Sequence, residues 1–212
     1  MPKTKEIVAP VTKQGRESVD KILDATLVLL ETTGLANITT NHIARESGVQ
    51  VGSIYRFFPN KEAILVALVR RWHEHIMDTI EQFLEKDPEN LLFNELIHGL
   101  FLGSLKSDYV HSAAYQEIFM GASTVLGLGD LFAQHQQRVA NRVADYYPSK
   151  NQKSRKEIVE FCTFLHSMIS TALSKAASQQ ARDRTRYAKW VFGMIDGAIE
   201  VFECEQCVHE NS

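Results

Sequence analysis

No run of apolar residues in this chain reaches the roughly 18 that a membrane-spanning helix requires. The first residues, Met-Pro-Lys-Thr-Lys-Glu, are basic and polar and lack the apolar centre of a secretory leader, so a cytoplasmic protein with no membrane partner is expected. Cysteine is scarce: three residues, an odd number with no disulfide framework, suit a reducing compartment. Strand-type alternation, internal repeats and low-complexity tracts are absent. So are the common enzyme signatures: no Gly-rich phosphate loop, no His-Glu-x-x-His, no Ser or Cys nucleophile beside a legible base. A binding protein without cofactor or metal is therefore expected, not an enzyme.

What is present is an ordered, helical chain. Hydrophobic residues make up 44% of 212 positions and prolines number only five, enough for one large or two small packed domains. The net charge of −3 hides an uneven distribution. Residues 1–71 hold ten Lys and Arg against seven acids, a surplus of three, while the remainder holds 13 against 19, a deficit of six. A basic end beside an acidic body orients a protein on a polyanion and keeps the rest off it. The surplus is small and does not by itself identify a nucleic-acid binder.

Residues 39–61 carry the densest information. They read as two short helices across a tight turn, the spacing of a helix-turn-helix. Ala44 is the small residue that close approach demands, Gly48 can take the positive φ of the reversal, and Ile54 anchors the second helix. Ile43, Val49 and Phe58 complete an apolar wedge. Upstream, Val19, Ile22, Leu23, Thr26, Leu27 and Leu30 recur at helical spacing and end near Gly34. Thr40 is read as the cap of the next helix, and Asn60, after Pro59, as the cap of a long helix running to about residue 84. Ile64, Leu65, Leu68, Trp72, Ile76, Ile80 and Phe83 form one stripe along it.

Further on, Asp87-Pro88-Glu89 reads as a helix start, with proline in the first turn and acids at the positive dipole end. Shorter helices are expected near 109–120 and around Leu131–Tyr146, then a turn at Pro148-Ser-Lys-Asn151. Two long helices at about 153–178 and 183–204 close the chain. The fold class is all-α with about nine helices. Its expected parts are a basic arm at 1–15, a helix-turn-helix domain at 16–62, a helical-bundle domain at 63–207 and a tail at 208–212.

These strings resemble the tetracycline-repressor (TetR) family of one-component transcriptional regulators. The resemblance rests on Ile22-Leu-Asp-Ala-Thr, Gly34, Ile38-Thr-Thr, Ile43-Ala, Ser47-Gly-Val, Val51-Gly-Ser-Ile-Tyr-Arg-Phe-Phe and Pro59-Asn-Lys-Glu-Ala-Ile-Leu65. It covers about residues 16–70, a quarter of the chain. It implies a homodimer that binds a pseudo-palindromic double-stranded DNA operator, represses transcription, and releases DNA when a small effector enters the C-terminal domain.

The recognition helix is expected at 51–57. With Ile54 and Phe58 turned inward, Gln50, Val51, Ser53, Tyr55 and Arg56 face out, and Gly52 lets the backbone approach the duplex. Position by position, the resemblance puts Val51, Gly52, Ser53 and Tyr55 on base- or backbone-contacting slots. It puts Asn41 on a base-contacting slot, and Phe57 and Lys61 near phosphates. Thr40 can offer its hydroxyl to a phosphate. Gln50 stands where many relatives carry Ser or Thr and can read adenine instead of capping. Phe57 departs from the polar or His/Tyr residues common at its slot.

The small residues Ala172, Ala176, Gly193, Gly197 and Ala198 mark the expected dimer interface, two helices from each copy. Effector contacts are sought among Trp72, Phe93, His98, Phe101, Tyr115, Phe119, Met120, Phe164, His166 and Met168, which suit an apolar or aromatic molecule. Residues of these types are also ordinary core. Cys204-Glu-Gln-Cys207-Val-His209 has the outline of a metal or redox motif, but a single CxxC is more simply a helix end. Two other readings stay open: a helical sensor or adaptor without DNA binding, and a helical-bundle metalloenzyme, which needs a set of inward Glu-x-x-His pairs that the chain lacks.

Overall fold

The computed structural model describes residues 9–86, 92–106, 113–121, 125, 127–147, 153–177 and 181–204. Among the described residues the fold is all-α: nine α-helices, one 3-10 turn and no strand. The chain divides into two compact units, one from Met1–His73 with Ser112–Leu131, the other from Glu74–His111 with Phe132–Ser212. The division falls inside the long helix α4, not at the expected 62/63 border, and a later helix returns to the first unit.

In the first unit, α1 spans Lys13–Thr33. Thr12 caps it, its hydroxyl accepting the Gly15 N–H at 3.1 Å. The basic arm is thus shorter than the expected 1–15: Gly15 is buried in the first turn, close to Pro10 and Thr12. Lys13-Gln-Gly15 lacks apolar periodicity, so the cap was the only sequence signal for that turn. Residues 1–8 lie outside the described ones. The α1 face that carries Ile22, Leu23, Ala25, Thr26, Leu29 and Leu30 is buried. The Thr26 hydroxyl is satisfied there, donating to the Ile22 carbonyl at 2.7 Å.

The helix stops at Gly34, whose N–H donates to the Leu30 carbonyl at 3.2 Å. A 3-10 turn, Leu35–Asn37, follows, then α2 (Thr40–Ser47), α3 (Val51–Phe57) and α4 (Lys61–Lys86). Asn60 caps α4 as expected, its side-chain oxygen accepting the Ala63 N–H at 2.8 Å. Helix α6 (Ala113–Gly121) packs on α1 and on the 3-10 turn. One α6 contact is specific: the Glu117 carboxylate accepts the Leu35 N–H at 3.1 Å. From the other side the Lys61 ammonium donates to the Leu35 carbonyl at 3.4 Å, so α6 and α4 both grip one peptide residue.

Two glycines in this unit do different work. Gly34 has φ +74° and ψ 157°, a region open essentially to glycine alone. Gly48 has φ +67° and ψ 11°, the left-handed region that asparagine also visits. Gly34→Asn should therefore cost about 2 kcal/mol, and Gly48→Asn less than about 1 kcal/mol. Urea unfolding midpoints check this order; equal midpoints would contradict it.

The second unit holds the rest of α4, α5 (Phe93–Lys106), most of α7 (Leu128–Ala144), α8 (Arg155–Ala177) and α9 (Ala181–Glu203). Its core includes Ile80, Leu96, Phe101, Ala140, Leu165 and Ile195, all nearly inaccessible. The Phe83 ring fills the space that a Cβ at Gly99 would need, drawing α5 close to α4. Two bidentate pairs tie α7 to α4: Arg138 with Glu74 at 2.6 and 3.1 Å, and Arg142 with Glu81 at 2.7 and 2.6 Å. The expected helix start at 87–89 and turn at 148–151 fall outside the described residues. No described helix is long and apolar enough to cross a membrane.

Candidate nucleic-acid interface

The local chain at 39–61 builds a wedge with one face sealed and one face open. Thr39, not Thr40, caps α2: its backbone is extended (φ −127°, ψ 158°) and its hydroxyl accepts the His42 N–H at 3.2 Å. Thr40 becomes the first helical residue and stays half-buried. Both threonines satisfy a capping preference, and only the backbone dihedrals separate them. Ile43 and Ala44 are buried, and Gly48 turns the chain. The Ser47 hydroxyl steadies the turn by accepting the Val49 N–H at 3.2 Å.

Gln50 occupies the cap position of α3 but makes no side-chain capping bond. Its carbonyl accepts the Ser53 and Ile54 N–H groups at 2.9 and 3.1 Å, while its side chain is exposed. Ile54 is fully buried, and Phe58 just past the helix is 1% exposed. On the other side Tyr55 is 53% exposed, with Gly52, Arg56 and Asn41 exposed and Val51 and Ser53 half-buried. A Cβ at Gly52 would meet nothing within 4 Å, so the backbone there is open to approach.

Phe57 is a correction. It was expected near phosphates, yet it is 4% exposed and its ring reaches within 3.7 Å of the Cβ position at Gly15. The apolar side chain closes the seam between α3 and α1, which explains the departure from a polar residue at that slot. Arg56 lies over the outer side of this ring, its guanidinium carbon 4.6 Å from the centroid. Arg71 is paired with Asp24 at 2.8 Å. Lys61 is half-buried and shares its ammonium with Leu35 as described above. No local pattern signals the Leu35 grip, because Glu117 is 82 residues away in the chain.

Residues 22–68, the span of this wedge and its flanking helices, match the model of the bacterial regulatory proteins of the tetR family. Over that span the chain matches the TetR family. Among curated relatives, this chain is 34% identical over 84 residues to the nucleoid occlusion factor SlmA of Aliivibrio fischeri, covering 39% of this chain and 43% of that one. It is 32% identical over 79 residues to the fatty acid metabolism regulator protein of Bacillus subtilis, 37% of each chain. It spans less than half the length of either of these two relatives. The fold extends further. A TetR-family regulator structure from Syntrophomonas wolfei superposes with a TM-score of 0.72 at 17% identity, covering 88% of this chain and 97% of that one.

The residues expected around an effector fall in both units. Trp72, Tyr115 and Phe119 lie in the first unit, with ring centroids 5.4 Å apart for Trp72–Tyr115 and 6.0 Å for Tyr115–Phe119. Burial pushes the Tyr115 hydroxyl up to about 12. Phe93, His98, Phe101, Phe164, His166 and Met168 belong to the second unit. Phe93 and Phe101 are core, Phe93 packing edge-on to Tyr147 at 4.8 Å. Phe164 is 57% exposed and lines no interior. The side chain of Met120 lies outside the described ones. Helical spacing finds buried faces but does not say which unit a face joins.

Two histidines of the second unit sit in chemically distinct places. His98 Nε2 is 2.9 Å from Asp196 Oδ1, and its ring lies 4.3 Å from that of Phe192. The His166 ring is 5.7 Å from that of His135, and its Nδ1 is 3.5 Å from the Ser170 hydroxyl. Burial lowers His166 to about 4, leaving a neutral imidazole at physiological pH. One Glu-x-x-His spacing does occur, Glu95–His98, but Glu95 is exposed and its carboxylate accepts the Leu92 N–H at 3.4 Å.

The expected dimer residues also divide. Ala176 is fully buried in the core of its own unit, and Ala172 and Ala198 pack half-buried against that core. Gly193 is exposed and Gly197 half-buried on α9, both with open space where a Cβ would stand. Cys204 is the last described residue and follows the end of α9; Cys207 and the tail lie outside the described residues.

Proposed function

We propose that this chain is a DNA-binding transcriptional regulator, acting as a homodimeric repressor at a pseudo-palindromic operator. The observation that carries the reading is α3. Its inner side is fixed by Ile54 and Phe57, and its outer side presents Gln50, Gly52, Tyr55 and Arg56 without covering structure from the described residues. A helix so held can enter a major groove, with Gln50 and Asn41 toward base edges and Tyr55 and Lys61 toward sugar and phosphate. One such helix covers too few base pairs for tight specific binding. Two copies spaced about 34–36 Å apart, or a multiple, would read successive half-sites.

The effector of this reading is a small apolar or aromatic molecule received by the second unit. What supports it is an interior of Phe, Leu and Ile side chains in that unit, which also holds His166 as a neutral, hydrogen-bonding ring. An effector releases DNA only by binding one arrangement of the dimer more tightly than the other.

Selection of bound fragments from random duplexes tests the reading and yields operator and half-site spacing together. Lys61→Ala supplies the finer test. The 3.4 Å bond to Leu35 is long enough to leave the ammonium largely available to a phosphate. Affinity should fall on all sequences alike, and the slope of log K against log salt should flatten by about one per half-site. Asn41→Ala should instead relax preference at one base position. Failure to enrich any sequence, with an unchanged salt slope for Lys61→Ala, would favour a sensor or adaptor that does not engage DNA.

A further inference from the structure

The short turn ahead of α2, Leu35–Asn37, is closed by one backbone bond, the Asn37 N–H donating to the Gly34 carbonyl at 3.2 Å. A turn of that length does not hold its own position. Among the described residues, two hydrogen bonds from distant parts of the chain reach it, both at Leu35. The Glu117 carboxylate accepts the Leu35 N–H, and the same Oε2 lies 3.6 Å from where a Cβ at Gly34 would stand. The Leu35 carbonyl accepts from the Lys61 ammonium. Glu117 is firmly presented to the turn: Ala114 and Ile118 of α6 are fully buried, and Tyr115 packs on Trp72.

An ammonium on a flexible four-carbon stem has no fixed place until something holds it. The Leu35 carbonyl does so at 3.4 Å, close enough to aim the group and too long to keep it from a phosphate. Where that carbonyl stands depends on the turn, and Glu117 fixes the turn from outside. The carboxylate is exposed, so the bond adds little to stability, water being an equal partner for both groups. Its effect falls on placement. Its charge acts in the opposite sense: by way of Leu35 it lies within about 10 Å of the ammonium, near one Debye length, and repels an approaching phosphate. Glu117 also stands well outside residues 22–68, so the family match does not assign it.

We infer that Glu117 is a positioning residue for DNA binding: through Leu35 it sets the Lys61 ammonium where a phosphate can take it. The inference rests on the DNA-binding reading above and extends that site to α6.

Anisotropy on the full chain, with a labelled duplex from the selection above, tests it. Glu117→Ala should bind about five-fold more weakly than wild type, while its urea midpoint stays close to wild type. Glu117→Gln keeps an oxygen to accept the Leu35 N–H and drops the charge. It should bind at least as tightly as wild type, any gain fading as salt rises. Leu35→Pro removes the N–H at the first position of the turn, where proline is tolerated and the extended ψ of Gly34 suits it. It should reproduce Glu117→Ala, and adding Glu117→Ala to it should cost nothing more. The deciding measurement is the cycle with Lys61→Ala, in whose background Glu117→Ala should lose its effect. An undiminished loss there would show that Glu117 acts on the fold at large. That result, or an unchanged affinity in Glu117→Ala, overturns the inference and leaves DNA binding in place. A wild type that enriches and binds no duplex would overturn the DNA-binding reading itself, and this inference with it.

Discussion

Ile54→Ala is expected to cost about 3 kcal/mol of stability and to abolish DNA binding in the same protein. Ile54 is fully buried, and only it and Phe57 are buried within the seven residues of α3. A helix that short has no stability of its own in water and exists only through its packing. Removing three carbons from the anchor leaves a cavity where α3 packs on α2 and α1, and the helix loses the contact that aims its outer face. The neighbour Tyr55 gives the contrast. Tyr55→Ala removes a side chain that is half exposed and should leave the unfolding midpoint nearly unchanged while weakening DNA binding. Urea unfolding and anisotropy with labelled operator separate the two effects. An Ile54→Ala protein with wild-type stability, or one that still binds operator fully, would show that the wedge does not hold α3.

The second large effect is a loss of stability in mild acid. Burial lowers the His166 imidazole to about 4, against 6.5 for an unhindered histidine. The unfolded chain therefore takes up a proton as pH falls through 6.5, whereas the folded chain does so only near 4. Stability is full above pH 6.5, declines between 6.5 and 4, and is flat again below. Between pH 7 and pH 5 the loss through this one group is about 2 kcal/mol, a ceiling set by the partial exposure of the ring. His166→Phe keeps a ring against His135 and removes the titration, so its stability should be nearly level over that window. Equal slopes for the two proteins would place the acid sensitivity elsewhere. Glu81, held below the usual carboxylate range by the Arg142 bond, acts in a separate window. Its contribution is present above the ordinary value of 4.5 and is lost only as pH falls further.

Short-range features were readable from the sequence in proportion to how local their causes are. Gly48, Asn60 and the 51–57 bounds of α3 each follow from a turn, cap or anchor set by near neighbours, and the structure places them as expected. Thr39 against Thr40 was not separable, because the choice lies in dihedral angles and not in residue type. Phe57 misled because its slot was judged by analogy with relatives, while its own apolar character pointed inward. Long-range features failed for a different reason. Ala176 and Gly193 are both small residues at helical spacing, and only the packing of α8 and α9 makes one core and the other surface. Phe164 and Phe101 are alike in the same sense.

The grip on Leu35 bears on how this protein can be cut and recombined. Tyr115 packs against Trp72 and Glu117 fastens the turn ahead of α2, yet both come from the middle of the sequence. A transplant of residues 1–73 onto a foreign bundle would leave an indole bare, an amide hydrogen orphaned and one side of α1 uncovered. The reading head of this chain is assembled from two separate stretches, and chimeras that respect its architecture must carry both.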